Sequence, residues 1–438
     1  SGNGRAPLGF ANSTGCTSVW ASTFPYNPYP FPWVNHLFQD SPSIAIGIFE
    51  GQMRKMADGF IGVRRAELEL AGEYNAEKHE AEFAHFDWKL FHEEEFAMCP
   101  PIFAVGGDGA MMDIGFQNLS RMLASGLPIR AVVLDTQVYS NTGGQACTSG
   151  FTGQISDMAM FGKDQSGKVE IRKELSLLAM AHRNVFVLQS SQATASHLLG
   201  GVLRGLQSKH PAIFILHSAC PPEHGIADDA GPRSARMALE SRAFPALEYN
   251  PDNGATFSEC LNLDGNPALE ADWPSYKLKY VDANGNEAEM EQPMTTADWA
   301  ACEGRFKKHF RPANESNDLV PFAEYVAMSA DERQGKKPFI HVLDSKRMLR
   351  KMQASYPIVQ LAEDRLRLWN QLKEMAGERV SSSARDSVTA ELESAFDQQI
   401  LALKAEHEAK ILELRTVYPQ VVARRMAEGL LRSGAGKT

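Results

Sequence analysis

An apolar run that ends in glycines and a single carboxylate constrains this chain more than any other feature. Residues 102–105 (IFAV) lead into Gly106, Gly107, Asp108 and Gly109. A helical stretch DIGFQNLSRMLASG, a second apolar run IRAVVLD and the polar string TQVYSNTGGQ follow. This spacing is one αβ unit, which brings both loops to the carboxyl ends of neighbouring strands. Glycines let backbone approach a ligand closely, and a helix opening after Gly109 presents free amides and a positive dipole end to an anion. A diphosphate suits that place. Asp108 beside it would be repelled unless a divalent cation lay between them, and a hard cation takes carboxylate, hydroxyl, carbonyl and phosphate oxygens. Thr136 and the Val138 carbonyl, at the end of the second strand, can complete the set. Alone, GGDG reads better as a tight turn whose Asp caps a helix. The second polar loop one αβ unit later favours a metal–diphosphate site.

The flanking sequence repeats the same alternation. Runs at 44–51, 129–136, 185–190 and 212–220 predict strands, although 44–51 could equally open a helix, and 53–71, 115–125, 171–181 and 193–207 predict helices. The expected class is therefore α/β, a doubly wound, mostly parallel sheet spanning 1–245. Residues 72–100, rich in Glu and His, read as an insertion carrying a solvated helix, and a charged face explains His79, His85 and His92 better than metal ligation. Residues 246–350 hold turn-forming clusters such as NPDNG and DANGNE and suggest a loop-rich arm. Residues 351–438 suggest a helical extension. In it Leu392, Phe396, Ile400, Leu403, Ile411, Leu414 and Tyr418 recur on one stripe that also holds His407.

With 438 residues the chain exceeds one compact core, and its 43% apolar and 22% charged content is that of a folded protein. A net charge of -10 has the wrong sign for a nucleic-acid partner. Neither a run of about 18 apolar residues nor a basic-then-apolar leader is readable, so no membrane partner and a cytoplasmic location are expected. The six cysteines form no CxxC pair, which argues against a disulfide scaffold or a zinc site of local spacing. The terminal GAGKT lacks the earlier glycine of a P-loop, Leu431 standing in its place, and the N-terminal GNG lacks the third glycine of a dinucleotide fingerprint.

A GDG followed one αβ unit later by a polar metal-binding loop is the thiamine diphosphate signature. Together with NSTGCTSVW, LFQDSPSIAIG, DTQVYSNTGGQ, SACPPEHG and FPALEYNP, it makes the stretch from Asn12 to Asn250 resemble the C-terminal thiamine-binding domain of pyruvate:ferredoxin (flavodoxin) oxidoreductases. The resemblance implies the thiamine diphosphate-binding fold, with Mg2+ held on the diphosphate by Asp108, Thr136 and the Val138 backbone. It places Gly15, Gly109 and Ala110 at the cofactor and Asn141 as the catalytic residue near the thiazolium carbon and the substrate. Thr136 stands where most other thiamine enzymes carry Asn. Cys16 and Cys220 match two of the four ligands of a [4Fe-4S] cluster.

The implied activity is oxidative decarboxylation of a 2-oxoacid such as pyruvate to acyl-CoA and CO2. Coenzyme A is the acyl acceptor, and electrons pass through iron–sulfur clusters to ferredoxin or flavodoxin. Departures qualify the match. Relatives have a CxxC pair upstream of the Cys16 position, absent from the fifteen residues here, so truncation is the first expectation, with ligands from a partner subunit or loss of the cluster also open. Ala110 replaces a common aromatic. A pyrimidine-binding domain is expected from a missing N-terminal region or another subunit, and a homo-oligomer is expected. The alternatives are a cluster-free, non-oxidative decarboxylase half and a non-catalytic assembly subunit.

Overall fold

The structure, a computed structural model, describes residues 8–21, 26, 33–36, 39–314, 316–379 and 382–434; the GNG string and the last four residues of GAGKT lie outside these. Contacts divide the chain into two units, Ser1–Ala376 and Gly377–Thr438.

The first unit is built on an eight-stranded sheet. Its strands are β1 (Gly9–Ser13), β2 (Trp33–His36), β3 (Ile102–Gly107), β4 (Arg130–Asp135), β5 (Phe186–Ser191), β6 (Ala212–His217), β7 (Leu247–Tyr249) and β8 (Leu261–Asn262), in the order β2-β1-β3-β4-β6-β5-β7-β8. Every pairing from β2 across to β5 is parallel, while β7 and β8 add an antiparallel edge. This is the doubly wound, mostly parallel α/β sheet that the alternating runs predict. Helices cover both faces, so the central strands carry apolar side chains on each side, and Ala131, Val133, Ile213 and Ile215 are fully buried. The chain leaves β1 for β2 on one side and returns to β3 on the other. Such a reversal opens a crevice at the carboxyl ends of the strands.

Residues 44–51 are helical, within the helix Ser41–Ala71. Ala45, Phe49, Met53, Met56 and Phe60 are its buried residues at helical spacing, and Pro42 in the first turn fits a helix start. Gly72, left-handed at φ 70°, closes it by donating to the Glu69 carbonyl. The 72–100 stretch forms two short α-helices, Ala76–Phe83 and Glu93–Ala97, with a 3-10 turn, Trp88–Leu90, between them. His79 is buried in the first and accepts a hydrogen bond from the Asn75 amide at 3.0 Å, which occupies its Nδ1 locally.

Between 246 and 350 the chain forms a hairpin of β9 (Ser275–Val281) and β10 (Glu287–Pro293), and the strands β11 (Phe310–Pro312), β12 (Leu319–Pro321), β13 (Lys337–Leu343) and β14 (Leu349–Ala354) of a four-stranded sheet. The DANGNE cluster is the hairpin turn, where Asp282 accepts from the amides of Asn284 and Asn286. The helix Tyr356–Met375 buries Ile358, Leu361, Leu368, Trp369 and Leu372, so it belongs to the first unit, which runs to Ala376. The described residues of the second unit form one helix, Ser382–Arg432. Among the described residues no helix is long and apolar enough to cross a membrane.

Candidate active site

Register brings the sequence-derived residues to one rim. Gly107 pairs with Leu134 and Asp135 with His217, so Asp108, Thr136 and the segment ending at Cys220 leave adjacent strands at the same level. Gly15 and Cys16 leave β1, the neighbour of β3 on its other side. Asp108 precedes, without a side-chain capping bond, a helical segment whose first part, Gly109–Ile114, is wound as a π-helix before Phe116–Ala124 continues it. The Gly115 amide reaches the Ala110 carbonyl at 2.8 Å, the five-residue bond that defines such a turn and one frequent at functional sites. Glycine is required at 109, because a Cβ there would stand 2.4 Å from the Tyr139 ring.

Three oxygens converge at the mouth of this turn. The Thr136 hydroxyl lies 3.0 Å from Asp108 Oδ1 and 3.0 Å from the Val138 carbonyl oxygen, while the Ser140 hydroxyl donates to it at 2.9 Å. Thr136 has one proton for two acceptors, so one of those contacts is oxygen against oxygen. Ser149 donates to the other Asp108 oxygen, and Cys147 lies 3.5 Å from it. Asp108 is 1% exposed. Burial, and then the nearby charge of Asp135, push its carboxyl up to about 6. Asp135 itself is neutralised by Arg172 in a fully buried ion pair, with the guanidinium 5.1 Å above the Phe151 ring. Asp108 thus has hydroxyl and thiol partners, and Arg172, near enough to feel its charge, is ion-paired with Asp135.

The Thr136 hydroxyl stands 3.0 Å from each neighbour, a spacing that suits O–H···O hydrogen bonds and equally adjacent ligands of octahedral Mg2+, about 3 Å apart at bonds of about 2.0–2.1 Å. The donor set of one carboxylate, one hydroxyl and one carbonyl is that of a hard cation whose remaining positions go to phosphate or water. Asn141 is exposed in the turn after Tyr139, a loop closed by the Gly144 amide on the Tyr139 carbonyl at 3.0 Å. Ala110 is half-buried in the π-turn, and Gly15 faces open space.

Cys16 begins the helix Cys16–Ala21, and Cys220 precedes Pro221–His224. Both are free thiols, and Cys16 is raised by partial burial and then by Cys220, Asp108 and Glu223, so the two cysteines share the rim with the carboxylate. Among the described residues no three His, Cys, Asp or Glu side chains gather as a metal cluster.

Several supporting residues carry no local signal in the sequence. Gln137 holds a left-handed φ of 58°, is fully buried, and sits between Thr136 and Val138. Its side chain donates to the Asp135 carbonyl at 2.8 Å and accepts from Arg305 at 3.0 Å, and its own carbonyl accepts from Gln154 at 2.8 Å. Arg305 also pairs with Glu303 at 2.6 Å. His224 reaches the Thr136 carbonyl at 2.7 Å. Gly225 and Gly304 stand back to back, and a Cβ on Gly225 would lie 2.8 Å from the Gly304 Cα; this close approach brings the 303–305 turn against the loop.

Residues 96–214 match the family "Thiamine pyrophosphate enzyme, C-terminal TPP binding domain". The chain is 27% identical to the pyruvate:ferredoxin oxidoreductase of Moorella thermoacetica, over 55% of this chain and 23% of that protein. It is 25% identical to the pyruvate-flavodoxin oxidoreductase of Klebsiella pneumoniae, over 70% and 29%. The pyruvate synthase subunit PorB of Pyrococcus horikoshii is 25% identical over 70% of this chain and 77% of that one. The chain therefore spans under a third of the length of the first two relatives. It carries a C-terminal TPP-binding region of the thiamine pyrophosphate enzyme type, similar to that of the pyruvate:ferredoxin and pyruvate-flavodoxin oxidoreductases.

Proposed function

We propose that this chain is the thiamine diphosphate- and Mg2+-binding part of a 2-oxoacid:ferredoxin or flavodoxin oxidoreductase, pyruvate being the favoured 2-oxoacid. The observation that carries the reading is the Thr136 hydroxyl, 3.0 Å from both an Asp108 carboxylate oxygen and the Val138 carbonyl, at the ends of the adjacent strands β3 and β4. These three would hold Mg2+, which would in turn hold the cofactor diphosphate, and the amides opening the turn at Gly109 and Ala110 would take the phosphate oxygens. When bound, the cofactor supplies the electron sink for decarboxylation. The chain's own part is to bind and orient. Gly109 keeps the turn tight against Tyr139, Ser149 fixes the carboxylate, and Asn141 on the exposed rim is placed to meet substrate.

Cys16 and Cys220 fit half the ligand set of a [4Fe-4S] cluster, and no step is derived through it. The pyrimidine-binding domain, coenzyme A and the electron acceptor belong, in this reading, to the rest of the assembly.

Calorimetric titration of thiamine diphosphate tests the proposal, with and without Mg2+ and with the companion region present. Binding should require the metal, and Asp108→Asn should weaken it at least about tenfold, which is about 1.4 kcal/mol. Binding that ignores Mg2+, or that Asp108→Asn leaves intact, would overturn it. Iron and sulfide analysis of the assembled protein tests the cluster separately.

A further inference from the structure

Among the described residues the helix Ser382–Arg432 is the one element of its unit, and its apolar side chains are exposed, Phe396 by 65% and Leu403 by 65%. From Leu392 to Val422 the stripe advances in steps of 4, 4, 3, 4, 4, 3, 4 and 4 residues. That is an eleven-residue repeat of 3.67 residues per turn, close enough to the helical period to keep one seam straight or slightly right-handed for eight turns or so. The step pattern also reads the same in both directions from His407. Turned end for end about that residue, the stripe superposes on itself, setting Leu403 against Ile411, Ile400 against Leu414 and Phe396 against Tyr418.

We infer that this seam pairs with the same helix of a second copy of the chain, antiparallel, with the two-fold axis at His407. A C2 contact demands a self-complementary surface, and a palindromic stripe is one. Charge selects the direction. Glu391, Glu393 and Asp397 lie toward one end and Arg415, Arg424 and Arg425 toward the other, so antiparallel pairing sets Asp397 beside Arg415 and Glu391 beside Arg424 of the second copy. Parallel pairing would put like charges side by side. Opposed helix dipoles favour the same arrangement. Pro419, which removes a backbone donor and bends a helix, falls just beyond the three central pairs. His407 is the one polar residue on the seam between Leu392 and Val422, the kind of position that sets register at a cost in affinity.

Sedimentation equilibrium on the full chain tests this. The expected species is twice the 48.2 kDa monomer. Leu403→Glu with Ile411→Glu should weaken association at least a hundredfold, and His407→Leu should strengthen it at least tenfold, a gain that misfolding cannot imitate. Asp397→Arg alone should weaken the dimer, and Asp397→Arg with Arg415→Asp should restore it. A wild-type chain that stays monomeric up to tens of micromolar, a dimer indifferent to the 403/411 pair, or a charge swap that restores nothing would each overturn the inference.

Discussion

Replacing Arg305 by Met removes the group that holds the 136–145 loop from behind. Arg305 is 4% exposed and Glu303 1%. The guanidinium donates to Glu303 at 2.6 Å, to Gln137 at 3.0 Å and to Gln154 at 3.3 Å. Methionine keeps much of the volume and leaves a buried carboxylate without its cation, a change that costs about 3–5 kcal/mol in other buried pairs. The Gln137 amide oxygen, left without that donor, adds about 1–3 kcal/mol if no water reaches it, with overlap between the two terms, whereas the Gln154 oxygen keeps the Phe151 amide at 3.1 Å. We expect a loss near 4 kcal/mol, a large share of the about 5–15 kcal/mol that keeps a domain folded. Chemical denaturation measures it as a fall in midpoint with the slope unchanged. Removing both charges, Glu303→Gln with Arg305→Met, should regain at least about 2 kcal/mol, because no lone charge stays buried. A second readout separates support of the loop from support of the fold. Gln137 at φ 58° is held by these bonds, and releasing it should raise amide exchange over 136–145 well above that of β5 and β6. The reasoning fails if Arg305→Met costs under about 1 kcal/mol, if the double variant is no better than the single, or if exchange rises equally across the sheet.

Two further expectations follow from packing and burial. Gly109→Ala drives a methyl into the Tyr139 ring, a forced overpacking worth about 1–3 kcal/mol; Tyr139→Ser in the same chain should recover most of the lost melting temperature, and a Gly109→Ala chain that melts like wild type would show that the ring moves freely. His217 is depressed to about 4 by burial and then by His224, and among the described residues neither of its ring nitrogens has a hydrogen-bond partner. Its folded value lies below the ordinary 6.5, so the stability linked to its neutral form is complete above about 6.5 and is lost as pH falls through about 4. His217→Phe should flatten the stability curve across that window in urea titrations at stepped pH, and an unchanged slope would refute the assignment.

The part of the site legible in the sequence is the part built from neighbours in the chain. Asp108 and Thr136 announce themselves because glycines and apolar runs fix one αβ unit between them. Where local pattern is ambiguous, reading falters. Ile44, Ile46 and Ile48 alternate like a strand, yet the buried set is Ala45, Phe49, Met53 and Met56, so helical spacing decides. The strand β1 is hidden for a different reason. Asn12 and Ser13 are fully buried polar residues, tolerable only because Thr17 and Asn35 bond to the first and Ser41, 28 positions away, to the second. In β9 and β10 burial alternates between exposed and half-buried along SYKLKYV and EAEMEQP, a signature of one-sided strands that the Asp, Asn and Gly of their turn obscure.

Gln137 shows where such reading ends. No residue beside it demands a positive φ of a glutamine; the demand comes from Arg305, 168 positions later, and from Gln154. Ligands to a metal must be certain oxygens, so their types survive in the sequence as pattern. The groups that aim them need only satisfy a buried donor or acceptor, and any segment that folding delivers to the place can do so. That is why the 303–305 turn, far from any recognisable motif, is where the loop's geometry is decided.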